Sequence, residues 1–270
     1  MRPARLLAVV AIATGLTTGF AAPAMAADAT VTIFHGVPGA TVDVYANGAA
    51  ILEDFKPGTI TDPLTLPEGT YDLKVTAAGA GPNGAAVIEA NDVAVPGGAN
   101  VTVAAHLNAA GTPVLTPFVN DTTPTKAGQA RITVRHTAAA PAVDIRANGD
   151  VAFPNVTNPN EAKADLPAGT ISADVVLAGT DTVAIGPADV NLKEGTNTIV
   201  YAWGSAADDN LALAVQTITG LHSAPGGVPS GTGGQSGTSP WAALGVAGAA
   251  ALLCGGAVLV VTRRREEVRT

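Results

Sequence analysis

The sequence predicts an all-β chain: two tandem immunoglobulin-like antiparallel β-sandwiches followed by one C-terminal transmembrane helix. Three observations predict it: an internal repeat spaced by about 100 residues, hydrophobic residues alternating with a period of two, and an uncharged run that ends on three arginines.

Residues 1–26 begin with Arg2 and Arg5, continue as an apolar stretch from Leu6 to Phe20, and end on Ala24-Met25-Ala26. A basic start, a short apolar middle and a small-residue end make a secretory signal peptide. Cleavage is expected between Ala26 and Ala27.

Two copies follow, predicted over residues 28–121 and 129–220. Val31-Thr32-Ile33-Phe34-His35 corresponds to Ile132-Thr133-Val134-Arg135-His136, and Val42-Asp43-Val44-Tyr45-Ala46-Asn47-Gly48 corresponds to Val143-Asp144-Ile145-Arg146-Ala147-Asn148-Gly149. Leu66-Pro67-Glu68-Gly69-Thr70 recurs as Leu166-Pro167-Ala168-Gly169-Thr170. Inside each copy apolar residues alternate, as in Tyr71, Leu73 and Val75, which is the pattern of a strand with one buried face. Asn-Gly pairs after such runs suit type I′ hairpin turns, whose two central residues need positive φ. About seven short strands per copy are expected, and no helical stripe interrupts them.

Residues 221–240 are rich in Gly, Ser and Pro and read as a flexible tether. Residues 241–262 carry no charge over a length sufficient to span a bilayer, and Trp241 stands where an interfacial anchor belongs. Arg263, Arg264 and Arg265 open a basic tail over 263–270, which the positive-inside rule keeps cytoplasmic. The sequence therefore predicts a cell-membrane protein of single-pass topology with an extracytoplasmic ectodomain. Val228-Pro229-Ser230-Gly231-Thr232-Gly233 departs from a cell-wall sorting signal by an inserted residue and by Val in place of Leu.

Composition narrows the function classes. A single cysteine, Cys254, excludes an internal disulfide framework and multi-cysteine metal sites. Between the two ends, eight basic residues face 20 acidic ones, leaving that segment at −12. Nucleic acid is excluded as a partner because phosphate neutralisation needs a basic face. No cofactor motif is present, and neither a nucleophile elbow nor a His-Glu-x-x-His pair completes a hydrolase template.

The repeated His, the Val-Asp-Val/Ile-x-Ala-Asn-Gly run and the Leu-Pro-x-Gly-Thr turn resemble the secreted bacterial repeats catalogued as domain of unknown function 4397. The resemblance covers both copies, about 190 residues. It places the family's His on His35 and His136 and its Val-Asp on Val42-Asp43 and Val143-Asp144. It implies an exported β domain, often tandem and often membrane-tethered, without an established activity. The copies differ where Phe34 stands against Arg135 and Tyr71 against Ile171.

The polar constellation that repeats is His35 with Asp43 and His136 with Asp144. A His-Asp hydrogen bond near a strand end is the expectation, with a structural role favoured because no nucleophile accompanies it. Asp208-Asp209-Asn210 and Asn120-Asp121 are oxygen-rich but too sparse for the six to eight ligands of calcium, so solvated turns are expected. The function expected is a non-enzymatic, membrane-tethered binding or spacer protein of the bacterial cell envelope, with an envelope protein or glycan as partner. The alternative is an envelope enzyme or enzyme accessory using the His/Asp pairs, which would need a deep pocket beside His35 or His136.

Overall fold

The computed structural model describes residues 27–223. The signal peptide with Ala26, the tether beyond Ser223, the predicted membrane span and the basic tail lie outside the described residues. The first copy runs through β1 (Ala29–Gly36), β2 (Val42–Ala46), β3 (Ala49–Phe55), β4 (Leu64–Leu66), β5 (Gly69–Ala77), β6 (Ala86–Val95), β7 (Asn100–Leu107) and β8 (Pro113–Val119). The second runs through β9 (Gln129–Ala139), β10 (Val143–Ala147), β11 (Asp150–Val156), β12 (Glu161–Pro167), β13 (Gly169–Leu177), β14 (Val183–Leu192), β15 (Asn197–Ser205) and β16 (Ala212–Ile218).

The strands form four sheets of four, ordered β4-β1-β7-β8 and β3-β2-β5-β6 in the first copy and β12-β9-β15-β16 and β11-β10-β13-β14 in the second. The two orders match strand for strand, as the sequence repeat requires. Each copy has eight strands where about seven were expected; in the first copy β4 is only three residues set between Pro63 and Pro67, too short for alternation to reveal, while its counterpart β12 has seven. Pairing is antiparallel except between β1 and β7 and between β9 and β15, which run parallel. No local turn announces a parallel pair, since its strands are joined only through long crossovers.

The turns behave as their residues dictate. Asn47 and Gly48 have φ of 49° and 79°, and Asn148 and Gly149 have φ of 54° and 91°, the left-handed pair that joins β2 to β3 and β10 to β11.

Each copy closes its two sheets over an aliphatic interior. In the first, Val31, Val101 and Val103 meet Leu73 and Val95, and Val42, Val44 and Val75 meet Ala105. In the second, Ile132, Val134 and Val200 meet Val143, Ile145, Val175 and Leu192. The central strands of the sheets that contain β1 and β9 are buried on both faces: every residue of β1 except Thr30, and every residue of β7 except Asn100, is buried.

The second buried face of each of these inner sheets packs on the other copy. Phe34, Ala104 and Phe118 of the first meet Ile199, Tyr201 and Ala214 of the second in one cluster, edged by Ile60, Trp203 and Ile218. The Phe34 and Tyr201 ring centroids lie 4.5 Å apart, and Trp203 meets Phe34 edge-on at 6.4 Å. A Cβ at Gly58 would lie 2.8 Å from the Trp203 ring, and Gly58 has φ of +76°, so only glycine fits the loop over that indole. The copies are thus one compact body, and the short connector of residues 122–128 is pinned: Thr125 N–H donates to Leu221 O at 2.7 Å.

Candidate functional site

The four residues singled out by the repeat are placed identically in both copies, and each His and Asp answers to different partners. His35 sits at the end of β1 with 2% of its surface exposed. Its Nε2 lies 2.9 Å from Ala40 O and donates to it, and its Nδ1 accepts from Val37 N–H at 3.4 Å. His136 repeats this on Pro141 O and Ala138 N–H. Each imidazole therefore ties the loop leading to the next strand, one ring nitrogen as donor and the other as acceptor, which fixes the neutral form.

Asp43 stands at the register shift between β2 and β3, where β3 carries an extra residue and Asp54 adopts φ of 52°. The bulge leaves backbone N–H groups without ladder partners. Asp43 Oδ1 accepts from Asp54 N–H at 3.0 Å, and Oδ2 accepts from Gly79 N–H at 2.8 Å in the turn after β5. Asp144 does the same with Asn155 N–H at 2.7 Å and Gly179 N–H at 2.9 Å. Those two donors hold the Asp144 carboxyl below the usual carboxylate range. Among the described residues the expected His-Asp hydrogen bond is not made: the bulge N–H groups claim the carboxylate and the loop carbonyl claims the imidazole.

The cavity beside His35 is enclosed by Val31, Val44, Leu73, Val103 and other core residues and measures about 30 Å³. That is room for roughly one water, against the 300 Å³ or more of a small-molecule site. His35 thus faces the sandwich interior and not a cleft.

The polar residues that converge most closely lie between the copies, and sequence reasoning passed over them. Arg135, 1% exposed, donates from Nε to Glu161 at 2.8 Å, from Nη1 to Tyr201 Oη at 2.7 Å and from Nη2 to Asn120 Oδ1 at 2.8 Å. Its guanidinium lies 4.3 Å from the centre of the Phe118 ring. Tyr201 Oη and the Thr102 hydroxyl both donate to Gln216 Oε1, at 2.7 and 3.0 Å. Asp121 pairs with Arg131 and Lys163, each at 2.7 Å. Burial alone would raise the Asp121 carboxyl, but hydrogen bonds from Lys163 and Thr123 and the charge of Arg131 hold it far below its ordinary value. Asn120-Asp121, expected as a solvated turn, is therefore part of the seam between copies. Asn210, in the other such turn, accepts from Ser205 N–H through its side chain at 2.7 Å. The mismatch of Phe34 with Arg135 was the available signal for this seam.

Among the described residues, the seam has an opening to solvent. A groove of about 420 Å³ is lined by Val215 to Thr219 of the second copy and by Thr32, Ile60 to Pro63 and Asn100 of the first. Asp62 is the one ionisable residue among those walls. A channel of hydroxyl, amide and apolar groups with a single carboxylate is suited to recognising an uncharged or basic segment.

The three buried imidazoles make a pH prediction. Burial lowers the pKa of His35, His106 and His136 below 6.5, with backbone acceptors only partly opposing it. In the window below 6.5 the unfolded chain binds protons that the folded chain refuses, so their contribution is complete above about 6.5 and is lost as pH falls through the folded values. The melting temperature of the folded region, residues 27–223, should fall between pH 7 and pH 5, while the Asp144 carboxylate, held below the usual carboxylate range, stays ionised. A flat melting curve over that interval would refute the neutral, buried assignment.

The family model described as Domain of unknown function (DUF4397) matches residues 29–146. The match takes in the whole first copy and runs through β9 and nearly all of β10; the correspondence of the rest of the second copy rests on its identical strand order. No curated protein matches the chain with significance.

Proposed function

We propose that this chain, with its DUF4397 match across the first copy, is a non-enzymatic binding protein of the bacterial envelope, exported by residues 1–26 and anchored by residues 241–262. In this reading two immunoglobulin-like sandwiches are held outside the membrane by the tether of residues 221–240, and Arg263 to Thr270 remain in the cytoplasm.

The observation that carries the reading is how the polar groups are used. The repeated His and Asp residues are occupied by loop and bulge backbone, while the groove between the copies leaves hydroxyl, amide and peptide groups facing solvent. The stacking of the copies favours binding over spacing. Joined face to face through their inner sheets, they extend no further than side-by-side sandwiches, and an eight-residue strand spans only about 26 Å. The acidic balance of −12 keeps such a domain soluble and biases it toward neutral or basic partners.

Crosslinking on intact cells tests this reading. The tethered protein is compared with a control carrying only residues 221–270 behind the signal peptide. An envelope protein or glycan joined reproducibly to the full chain and not to the control is the expected result. Identical neighbour lists would overturn it.

A further inference from the structure

Among the described residues four sheets leave eight edge strands, and an exposed edge is a row of unpaired N–H and C=O groups that proteins blunt with proline, charge or shortness. Seven of the eight are blunted. β4 has three residues between Pro63 and Pro67; β3 carries Glu53 and Asp54; β6 carries Glu89 and Asp92. β8 carries Pro113 and Pro117, β11 carries Asp150 and Pro154, β14 carries Pro187 and Asp189, and β12 carries Glu161, Lys163 and Asp165. β16, Ala-Leu-Ala-Val-Gln-Thr-Ile, is seven residues long without a charge or a proline.

The comparison with β8 is residue by residue. Asn120 N–H donates to Asn100 O, so the alternate positions of β8, Pro117 and Val119 among them, turn their backbone away from β7 toward the free edge. Pro117 stands opposite Val103 as Val215 stands opposite Val200, and these are equivalent places in the two copies. Where the first copy has removed an outward N–H, the second keeps one at Val215, with those of Leu213 and Thr217 on either side. Val215 is also 55% exposed, and it lines the groove whose far wall is Ile60 to Pro63.

We infer that the free edge of β16 receives an extended polypeptide segment of a partner protein, added as a fifth strand with basic residues flanking its paired core. This rests on the binding reading above and names the chemical class of its partner. Main-chain hydrogen bonds to Leu213, Val215 and Thr217 supply the register, and Val215 and Thr217 place the added strand beside the groove whose other wall is Ile60 to Pro63. Charge favours this occupant over a second copy, because both the groove's Asp62 and the −12 balance repel another identical chain. The chain's own tether is a poor candidate, being Gly, Ser and Pro with little β propensity.

The test uses the full chain in detergent micelles and a fluorescein-labelled probe, Lys-Thr-Val-Thr-Val-Thr-Lys, read by anisotropy. Saturable binding is expected. Methylation of alternate backbone nitrogens of the probe, or Val215→Pro in the protein, should each weaken it about tenfold or more, the weight of one or two backbone hydrogen bonds. Exchange of the flanking lysines for aspartates should also weaken it. Because proline already occupies the equivalent place in β8, Val215→Pro should leave the melting temperature unchanged, and that is measured first. Equal binding by a folded Val215→Pro chain, or no binding at all, would overturn the inference. Sedimentation showing a native dimer that Val215→Pro converts to monomer would overturn it in favour of a second copy. The crosslinking comparison is independent: an envelope neighbour retained by Val215→Pro would keep the binding reading while the β16 assignment fell.

Discussion

Replacing Arg135 with alanine should lower stability by about 3 to 5 kcal/mol, the usual effect of removing one member of a buried charged network. The side chain is 1% exposed and serves Glu161, Tyr201 and Asn120 at once while covering the Phe118 ring. Truncation strips the buried Tyr201 hydroxyl and Asn120 amide oxygen of their guanidinium donor, leaves the partly exposed Glu161 carboxylate without its ion pair, and opens a cavity against Phe118. For a unit of this size the melting temperature should drop on the order of 10 °C. The double variant Arg135→Met with Glu161→Leu should recover most of that loss, because it removes both charges and refills the space. Calorimetry of the two variants decides the matter. A single variant that melts with the native chain would show that the seam does not form through Arg135.

The same seam separates what the sequence made legible from what it did not. The outer sheets could be read by alternation because charges mark their solvent face: Asp72 and Lys74 fall between Tyr71, Leu73 and Val75. Of the central inner strands, β1, β7 and β15 alternate Val or Ile with Thr, Ala, Phe, Tyr or His, as in Val101-Thr102-Val103-Ala104-Ala105-His106, and carry no such charge, whereas β9 carries Arg131 and Arg135. A face without charge is a face that another surface covers, and the packing of the two copies follows from that missing charge. Arg135 disguised it, since an arginine in an alternating strand reads as solvated until three acceptors are found around it. The His/Asp pairs show the converse error. Proximity in sequence suggested that His35 and Asp43 would bond to each other, whereas the β3 bulge, visible only through the register, supplies the partners of Asp43. The parallel pairs β1 with β7 and β9 with β15 were equally hidden, because their contacts span most of a copy.

Phe34→Ala should destabilise both copies although it alters only the first, with a loss of about 3 to 5 kcal/mol typical of a deleted buried aromatic ring. Phe34 has no exposed surface, and its ring contacts Tyr201 and Trp203 of the second copy. If the seam is a core shared by both copies, the native chain should unfold in one transition, since neither inner sheet has a covered second face without the other. Trp203 gives a local probe, because the chain has two tryptophans and the other, Trp241, can be exchanged for phenylalanine. Its indole belongs to the second copy but lies under Gly58 and against Phe34 of the first. Fluorescence from Trp203 and far-ultraviolet circular dichroism of the whole chain should therefore melt together in the native protein, and both should move down together in Phe34→Ala. Two separated transitions, with Trp203 following only one of them, would mean that each copy is stable alone. The variant separates the cases further. A seam that merely rests in contact would shift the fluorescence and leave the second copy's melting where it was, whereas a shared core must lower both, because removing the ring strips packing from Tyr201 and Ile199 as directly as from Ala104.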